Sequence, residues 1–439
     1  MTASGPARLG IVDGSLIVVG SVVGAGIFLV SPSVAQHVHS PAAFLGTWLL
    51  GGAVAVAGAL ANGELGGLFP RSGGEYVYLR EAYGPLFGFL SGWMSLWIAF
   101  PGSIAALAAG FGLTVAPMFG FHGPGARVGI GAAAIVALTA VNAFGLRPGK
   151  WTQNVLSGAK LAAIAALLGL GFFVARGSAG GLVPFLVPGD TARGTAEALV
   201  PVFFAYSGWN AATYITGEMR DPQRSLGRAL ALGTSLCLAL YLLINAVYLR
   251  AMPVDALART TDPARAAATV LGGPVVAAFL SPLIAVCVLS SMQASVLVGP
   301  RIYQAMAVDG LFFAPAARVH PKTQTPLLSL LVQSAIALVQ LFSGSFDQLL
   351  NFSTVAILAF ATLAVVGVLV LRVRRPDVPR PFRVPIFAPL LFIGVNVWVL
   401  WSVLASGARE ARIGLAIVAS GVPVYVAFRL LRRSPEPAP

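Results

Sequence analysis

Charged residues are scarce in this sequence of 439 residues: they make up 10% of it, whereas a typical soluble domain has about 25%. Apolar residues account for 57%, and the mean hydropathy is +0.85. So little charge excludes an ordinary soluble globule. Because membrane-spanning chains must satisfy their backbone hydrogen bonds internally, long apolar runs of this kind predict an all-α protein that crosses the membrane many times.

Cysteine and histidine are also rare. The two cysteines, Cys237 and Cys287, lie inside apolar runs and offer no disulfide in a loop. The four histidines lie near loops, without the spacing of metal ligands. No Ser-His-Asp set, phosphate-binding loop or pair of catalytic carboxylates is visible. These absences argue against an enzyme, a metal site and a bound cofactor.

Acidic residues are few, at 15 against 28 basic ones, which gives a net charge of +13. The basic residues lie between apolar runs and form no patch with interleaved aromatics, so nucleic acid is not expected as a partner. With both termini placed in the cytoplasm, 19 Lys and Arg residues fall on the inner side and 8 on the outer side. The positive-inside rule therefore predicts cytoplasmic termini in a plasma membrane.

Twelve apolar runs are long enough to cross a bilayer, which takes about 20 residues. The first lacks a cleavage site after it and is interpreted as a retained span, not a signal peptide. Since every connection is short, residues 1–439 are interpreted as a single transmembrane domain. The predicted spans are 11–37, 43–68, 85–118, 126–145, 151–175, 195–218, 227–252, 272–299, 325–343, 347–371, 384–406 and 411–431.

The first span contains glycines at its centre, in residues 20–28 (GSVVGAGIF). Gly24 and Gly26 remove side-chain bulk on both sides of one small residue, so the backbone there can unwind and approach a ligand. The prediction is two half-helices, the second starting near Ile27, with free N–H groups suited to a carboxylate. Taken alone, these glycines are equally compatible with close helix packing.

A second interrupted span favours the binding interpretation. Residues 201–210 (PVFFAYSGWN) combine proline, glycine and polar residues inside an apolar run, about 180 residues after the first break. Irregular backbone at membrane depth is tolerated only where protein buries it or a cavity lies beside it. Paired breaks in corresponding positions of two halves point to the substrate site of a transporter.

Five motifs carry a resemblance to a known family: 23–28 (VGAGIF), 70–76 (PRSGGEY), 204–210 (FAYSGWN), 217–222 (GEMRDP) and 299–301 (GPR). They resemble the amino acid, polyamine and organocation permeases, and most closely the L-type amino acid transporters and their bacterial relatives. The resemblance implies a LeuT-like arrangement of 12 transmembrane helices. In it, inverted repeats of five spans cover about 11–176 and 195–373, and two extra helices cover about 384–431.

The resemblance also implies a substrate site made mainly of backbone. The N–H groups of Gly24, Ala25 and Gly26 would receive the carboxylate of an amino acid. Carbonyls of the second break would receive its α-ammonium group. Members of this branch mostly have serine where this sequence has Ala25, so the resemblance implies that a hydroxyl contact is lost at that position while the backbone amide is kept. The implied substrate-binding residues are Val23, Gly24, Ala25, Gly26, Ile27, Phe204, Ala205, Ser207, Asn210 and Tyr241.

Three of these side chains have two interpretations. Phe204 resembles the aromatic residue that closes over the substrate from outside, although a Phe in a span is usually core or lipid-facing. Asn210 and Tyr241 match positions that contact the substrate or the fifth span in relatives. A buried Asn or Tyr also serves as a hydrogen-bonding link between helices, which contributes about 1 kcal/mol.

Lys160 is the basic residue that lies well inside a span. An ammonium group there costs at least about 2.5 kcal/mol, so it is expected to face the helix bundle and have partners. It matches the fifth-span lysine that replaces a sodium ion in sodium-independent members of the family. The expected partners are carbonyls near Gly20 and a hydroxyl of Ser290 or Ser291. The residues assigned to coupling and gating are Lys160, Ser290, Ser291 and Phe204.

The resulting hypothesis is a bacterial inner-membrane transporter that exchanges neutral L-amino acids without sodium. Loop 119–126 lacks the cysteine by which animal L-type transporters bind a heavy chain, so no disulfide-linked partner is expected. One alternative is a proton-coupled symporter of amino acids or cationic substrates, although no acidic residue is expected in the pocket unless Glu64 approaches it. Glu64 and Glu218 are otherwise candidates for an inner gate of ion pairs or for solvated helix ends, and the solvated end is the preferred interpretation of Glu218. Another alternative is a non-transporting amino acid sensor or scaffold.

Overall fold

The computed structural model describes residues 10–70, 73–174, 182, 184–323, 325–407 and 409–431. Its regular elements are helices, as the composition predicts. Short π-helical turns lie at Ser95–Ala99 and Leu170–Val174, and 3-10 turns at Ala116–Phe119, Ala211–Glu218 and Ala314–Ala317. The α-helices are α1 (Ile11–Val22), α2 (Ala25–Leu29), α3 (Ser31–Ala35), α4 (Pro41–Leu68), α5 (Glu75–Tyr83), α6 (Pro85–Met94), α7 (Phe100–Val115), α8 (Pro124–Ala143), α9 (Leu146–Gly169), α10 (Ala192–Tyr206), α11 (Pro222–Ala251), α12 (Val254–Ala258), α13 (Pro263–Val308), α14 (Leu327–Ser343), α15 (Phe346–Arg374), α16 (Phe387–Ala405) and α17 (Arg409–Leu431).

In the part of the chain that the structure describes, ten helical segments are long and apolar enough to cross a membrane. Two of the twelve predicted spans are not among them. The predicted span 195–218 is interrupted after Tyr206, and the predicted span 325–343 forms α14, which has 17 residues. The ten segments are Ile11–Leu29, Pro41–Leu68, Pro85–Phe119, Pro124–Ala143, Trp151–Phe173, Pro222–Ala251, Pro263–Val308, Phe346–Arg374, Phe387–Ala405 and Arg412–Leu430.

The centre of the bundle is formed by α4, α10, α11 and α13, against which α1 and α2 pack. Glycines of α4 allow this close approach: a Cβ at Gly51 would lie 2.4 Å from Val202, and one at Gly63 would lie 2.5 Å from the Cα of Gly227. Small residues serve this purpose between membrane helices, where van der Waals packing drives association. The central helices therefore pack closely around the two predicted breaks.

A buried ion-pair network joins the end of α4 to the end of α15. The Glu64 carboxylate accepts hydrogen bonds from Arg372, at 2.9 Å from Nε, and from the backbone N–H of Val384, at 2.8 Å. Arg380 Nε lies 3.4 Å from the same carboxylate, whose side chain is fully buried. Glu64 therefore has an ion-pair role and is not a solvated helix end, while the side chain of Glu218 lies outside the described residues.

We expect Glu64→Gln to destabilise the protein strongly. Removing one member of a buried ion pair costs about 3 to 5 kcal/mol, because the other charge is left without its partner. Glu81→Gln is the control, since Glu81 pairs with Arg375 at 3.4 Å in a partly exposed position, where such pairs contribute about 1 kcal/mol or less. Thermal unfolding of both variants in detergent checks the prediction, and equal losses in the two would contradict it.

Candidate substrate site

The first helix is interrupted where the glycines predict it. The α1 helix ends at Val22, Gly24 has φ −148° and ψ −148°, and α2 starts at Ala25. The second half therefore begins two residues earlier than the expected start near Ile27. The Val19 carbonyl accepts the N–H of Val23 at 2.8 Å. The carbonyls that follow it in α1 and the first amides of α2 have no partners within their helices, so the break presents backbone groups of both kinds.

The first break lies between α10 and α13. A Cβ on Gly24 would lie 1.9 Å from Ser291 Oγ of α13, and one on Gly26 would lie 2.5 Å from the Cα of Ala205 of α10. The two glycines therefore serve close packing as well as the interruption of the helix, while their binding of a carboxylate stays a prediction.

The second break follows Tyr206, where α10 ends. Ser207 has ψ 140°, Gly208 has φ +99°, and a 3-10 turn starts at Ala211. The φ of Gly208 is in the region that favours glycine. A Cβ on Gly208 would also lie 3.0 Å from the backbone of Ser21, so the two breaks are in direct contact.

Tyr241 of α11 links the two breaks. Its hydroxyl lies 2.7 Å from the carbonyl oxygen of Val22 and 3.0 Å from that of Ala205. The Phe204 carbonyl accepts the N–H of Ser207 at 3.1 Å. A carbonyl oxygen has two lone pairs, so Phe204 and Ala205 each retain acceptor capacity for a ligand.

Lys160 of α9 reaches the end of α1. Its side chain is 1% exposed, and Nζ donates to the carbonyl oxygen of Gly20 at 2.8 Å. This contact was expected from the sequence. It places a cation at a helix C-terminus, where both the free carbonyl and the helix dipole favour positive charge. Ser290 Oγ is buried without a hydrogen-bond partner among the described residues, so its expected contact with Lys160 is not made.

A cavity borders the second break. It lies between α4, α10, α15 and α16, and its lining includes Phe204, Ser207 and Asn210. The empty space is about 570 Å³, part of it open to solvent. The predicted aromatic gate and two other predicted site residues therefore lie at one cavity.

Glu75 is a residue of this cavity that the sequence interpretation missed. It starts α5, is buried, and accepts a hydrogen bond from Asn210 Nδ2 at 3.0 Å. Burial raises the pKa of Glu75 to about 7, against the lowering effect of the Asn210 hydrogen bond. The sequence interpretation assigned no acidic residue to the substrate pocket, whereas this cavity contains one. Among the residues that the structure describes, no group of three His, Cys, Asp or Glu side chains is placed to hold a metal ion.

The sequence shows the motif that contains Glu75, but it does not show which part of the bundle the motif packs against. Gly73 has φ +136° and Gly74 has φ +54°, and these positive angles turn the chain into α5. The turn brings the first residue of α5 against the second break. A local pattern of glycine, charge and tyrosine indicates a short helix and does not show which helix it packs on.

We expect Glu75 to make stability depend on pH. Its pKa is raised above the ordinary value of 4.5, so its contribution to stability is full below about 4.5 and is lost as the pH rises through about 7. Glu75→Gln should reduce the dependence of the melting temperature on pH between pH 4.5 and pH 8, measured in detergent. Glu81→Gln, on the same helix but partly exposed, should keep the wild-type slope. An unchanged slope in the Glu75 variant would contradict the assignment.

Comparison with known proteins identifies the class. The Amino acid permease family matches residues 9–426. The b(0,+)-type amino acid transporter 1 of Mus musculus is 31% identical over 436 residues, which cover 97% of this chain and 89% of the relative. The serine/threonine exchanger SteT of Bacillus subtilis is 30% identical over 434 residues, covering 97% and 98%. The large neutral amino acids transporter small subunit 2 of Homo sapiens is 31% identical over 431 residues, covering 95% and 79%.

These matches agree with the architecture. The family match and the relatives extend over nearly the whole chain, and the range matched by the family contains the two breaks and Lys160. The relatives are named as carriers or exchangers, so the class is transport and not catalysis. The chain belongs to the amino acid, polyamine and organocation permeases and is a multi-pass membrane transporter of amino acids.

Proposed function

We propose that this permease exchanges neutral L-amino acids by alternating access, without sodium. The observation that carries the proposal is the contact of the Lys160 ammonium with the Gly20 carbonyl. A fixed cation beside the first break supplies positive charge where a sodium-coupled carrier would need a bound ion. With that charge built into α9, transport requires no sodium gradient.

The two breaks would hold the zwitterionic part of the substrate. The amides of Gly24, Ala25 and Gly26, flanked by Val23 and Ile27, would receive the carboxylate. The free lone pairs of the second-break carbonyls, at Phe204, Ala205 and Ser207, would receive the α-ammonium group. Since every L-amino acid shares these groups, backbone recognition fits a carrier of several side chains.

The proposal includes the full LeuT-like architecture. Inverted repeats would cover about 11–176 and 195–373, with extra helices at about 384–431 and both termini in the cytoplasm of a bacterial cell. Support comes from the breaks, which fall in the first span of each repeat and contact each other through Gly208 and Ser21. Paired broken helices at a repeat interface are typical of alternating-access carriers.

We further propose that the carrier works without a disulfide-linked heavy chain. Both cysteines, Cys237 and Cys287, are buried in helices, on α11 and α13. A covalent link needs an accessible thiol in an outer loop. Loop 119–126 carries none, so the purified chain alone should be active.

One observation favours a second candidate, proton-coupled symport of amino acids or cationic substrates. Glu75 lies in the cavity and has a pKa of about 7, so it changes charge near neutral pH. A carboxylate in this position suits a proton or a cationic side chain. Its hydrogen bond with Asn210 satisfies part of its acceptor capacity, and this favours exchange of neutral substrates as the first proposal.

Uptake of labelled amino acids into proteoliposomes tests the proposal. The purified chain is reconstituted with or without internal amino acid, in sodium or choline buffer, and with or without a proton gradient. We expect uptake that needs internal substrate and responds to neither gradient. Sodium dependence would contradict the role of Lys160, and proton-driven uptake into empty vesicles would favour the second candidate. Saturable binding without uptake would indicate a sensor.

A further inference from the structure

The cavity beside the second break contains buried polar atoms without partners. Asn396 of α16 is 0% exposed, and within the described residues neither its Nδ2 nor its Oδ1 has a hydrogen-bond partner. Thr354 of α15 is 4% exposed, and its hydroxyl likewise has no partner there. Both residues line the cavity. Leaving such groups unpaired is costly, so they indicate that a ligand or water with donor and acceptor groups occupies this space.

The remaining walls of the cavity are mainly apolar. Val54 of α4, Ile357 of α15 and Phe392 of α16 line it, and the second break contributes Phe204 and Ser207. An apolar pocket with a few converging polar groups is the usual form of a site that recognises one small polar group. Phe204 and Ser207 also carry carbonyls that would hold the α-ammonium group, so a substrate bound there has its side chain next to the cavity.

We propose that this cavity is the subsite for the substrate side chain, and that Asn396 and Thr354 select side chains with a hydroxyl or carboxamide group. This inference rests on the proposed transport of neutral amino acids. An amide and a hydroxyl each donate and accept, which matches a hydroxyl or a carboxamide and not an alkyl group. An apolar side chain in the same space would leave the Asn396 amide unpaired, and a site built to hydrogen-bond a group rejects the analogue that lacks it.

A cationic side chain is the main competitor for this space, because Glu75 also lines it. The Glu75 carboxylate already accepts a hydrogen bond from Asn210, and the residues without partners are neutral. The distribution of unpaired atoms therefore favours neutral polar side chains.

The test compares threonine with valine, which have nearly the same shape. Exchange of a labelled substrate is inhibited by each amino acid in wild type and in the isosteric variants Asn396→Leu and Thr354→Val. We expect wild type to prefer threonine about 10-fold, and the ratio to approach about 1 in the variants, as expected for loss of one or two hydrogen bonds. Thr362→Val is the control, because Thr362 lies on the same helix and its hydroxyl is bonded to Leu358 at 2.7 Å.

Three results would overturn the inference: equal inhibition by threonine and valine in wild type, an unchanged ratio in folded variants, or a preference for lysine over both. If Asn396→Leu does not fold, Thr354→Val carries the test. Stabilisation of the purified protein by threonine and valine, measured as a melting-temperature shift in detergent, separates this inference from the proposed function. Selective stabilisation by threonine without exchange would support the subsite and contradict the proposed exchange. Exchange without selectivity for threonine would support the proposed exchange and contradict the subsite.

Discussion

Substituting Gly26 by alanine is expected to reduce exchange at least about 100-fold. The new Cβ would lie 2.5 Å from the Cα of Ala205 and 2.8 Å from its Cβ, and these atoms cannot rotate away. Overpacking of this kind costs about 1 to 3 kcal/mol and occasionally more, and it displaces backbone. The displaced backbone here is the pair of breaks, on which the proposed binding of both ends of the substrate depends.

Gly20→Ala is the matched control for this variant. Gly20 lies on α1, in the other half of the same interrupted span and four residues before Gly24, and a Cβ there would meet no atom within 4 Å. We expect Gly20→Ala to retain close to wild-type exchange in proteoliposomes, because it makes the same glycine-to-alanine change in helix propensity as Gly26→Ala but introduces no clash. If Gly26→Ala exchanged at a similar rate, the contact of the two breaks would be unimportant for transport.

Replacing Lys160 by methionine is expected to lower exchange about 100-fold. Methionine keeps much of the length and the apolar stem but removes the ammonium group that donates to the Gly20 carbonyl. A hydrogen bond from a charged group contributes about 1.5 to 3 kcal/mol, and the carbonyl would be left unpaired in the bundle. The end of α1 would then lose the group that fixes its position next to the break.

The measurement is exchange per mole of reconstituted protein, with the melting temperature in detergent as a check on folding. Lys322→Met is the control, because Lys322 is exposed and the change in net charge is the same. Lys160→Arg keeps the charge and should retain more activity than the methionine variant. Full activity of a folded Lys160→Met protein would show that the ammonium group has no part in transport.

Local features of the sequence located the breaks well. Glycine and proline act on their own backbone and immediate neighbours, so their positions placed the first break to within two residues. They also placed the second between Tyr206 and Ala211, inside the predicted interruption. Lys160 was assigned a carbonyl partner near Gly20 by the cost of a buried charge together with the family resemblance. The contact is present in the structure.

Partners across the bundle were harder to predict. Glu64 was a candidate for an inner gate of ion pairs or for a solvated helix end, but the sequence did not show that its partner is Arg372, which lies 308 residues later in the chain. A hydroxyl of Ser290 or Ser291 was assigned to Lys160, and of these two the hydroxyl of Ser290 makes no such contact. Helical periodicity shows which residues share a face and does not show which face of another helix meets it.

The sequence by itself determined that this protein is a helical membrane transporter with two interrupted spans and a buried lysine beside the first. The helical membrane fold, the breaks and the burial of the lysine follow from composition, from backbone preferences and from the cost of burying charge, which act within a few residues, while the transporter class and the position of the lysine came from the family resemblance of the motifs. Only the tertiary structure decided that α5 places Glu75 against Asn210, that Tyr241 joins the two breaks, and that Asn396 and Thr354 share a cavity. Such contacts depend on how the helices pack, and packing is set by the whole bundle.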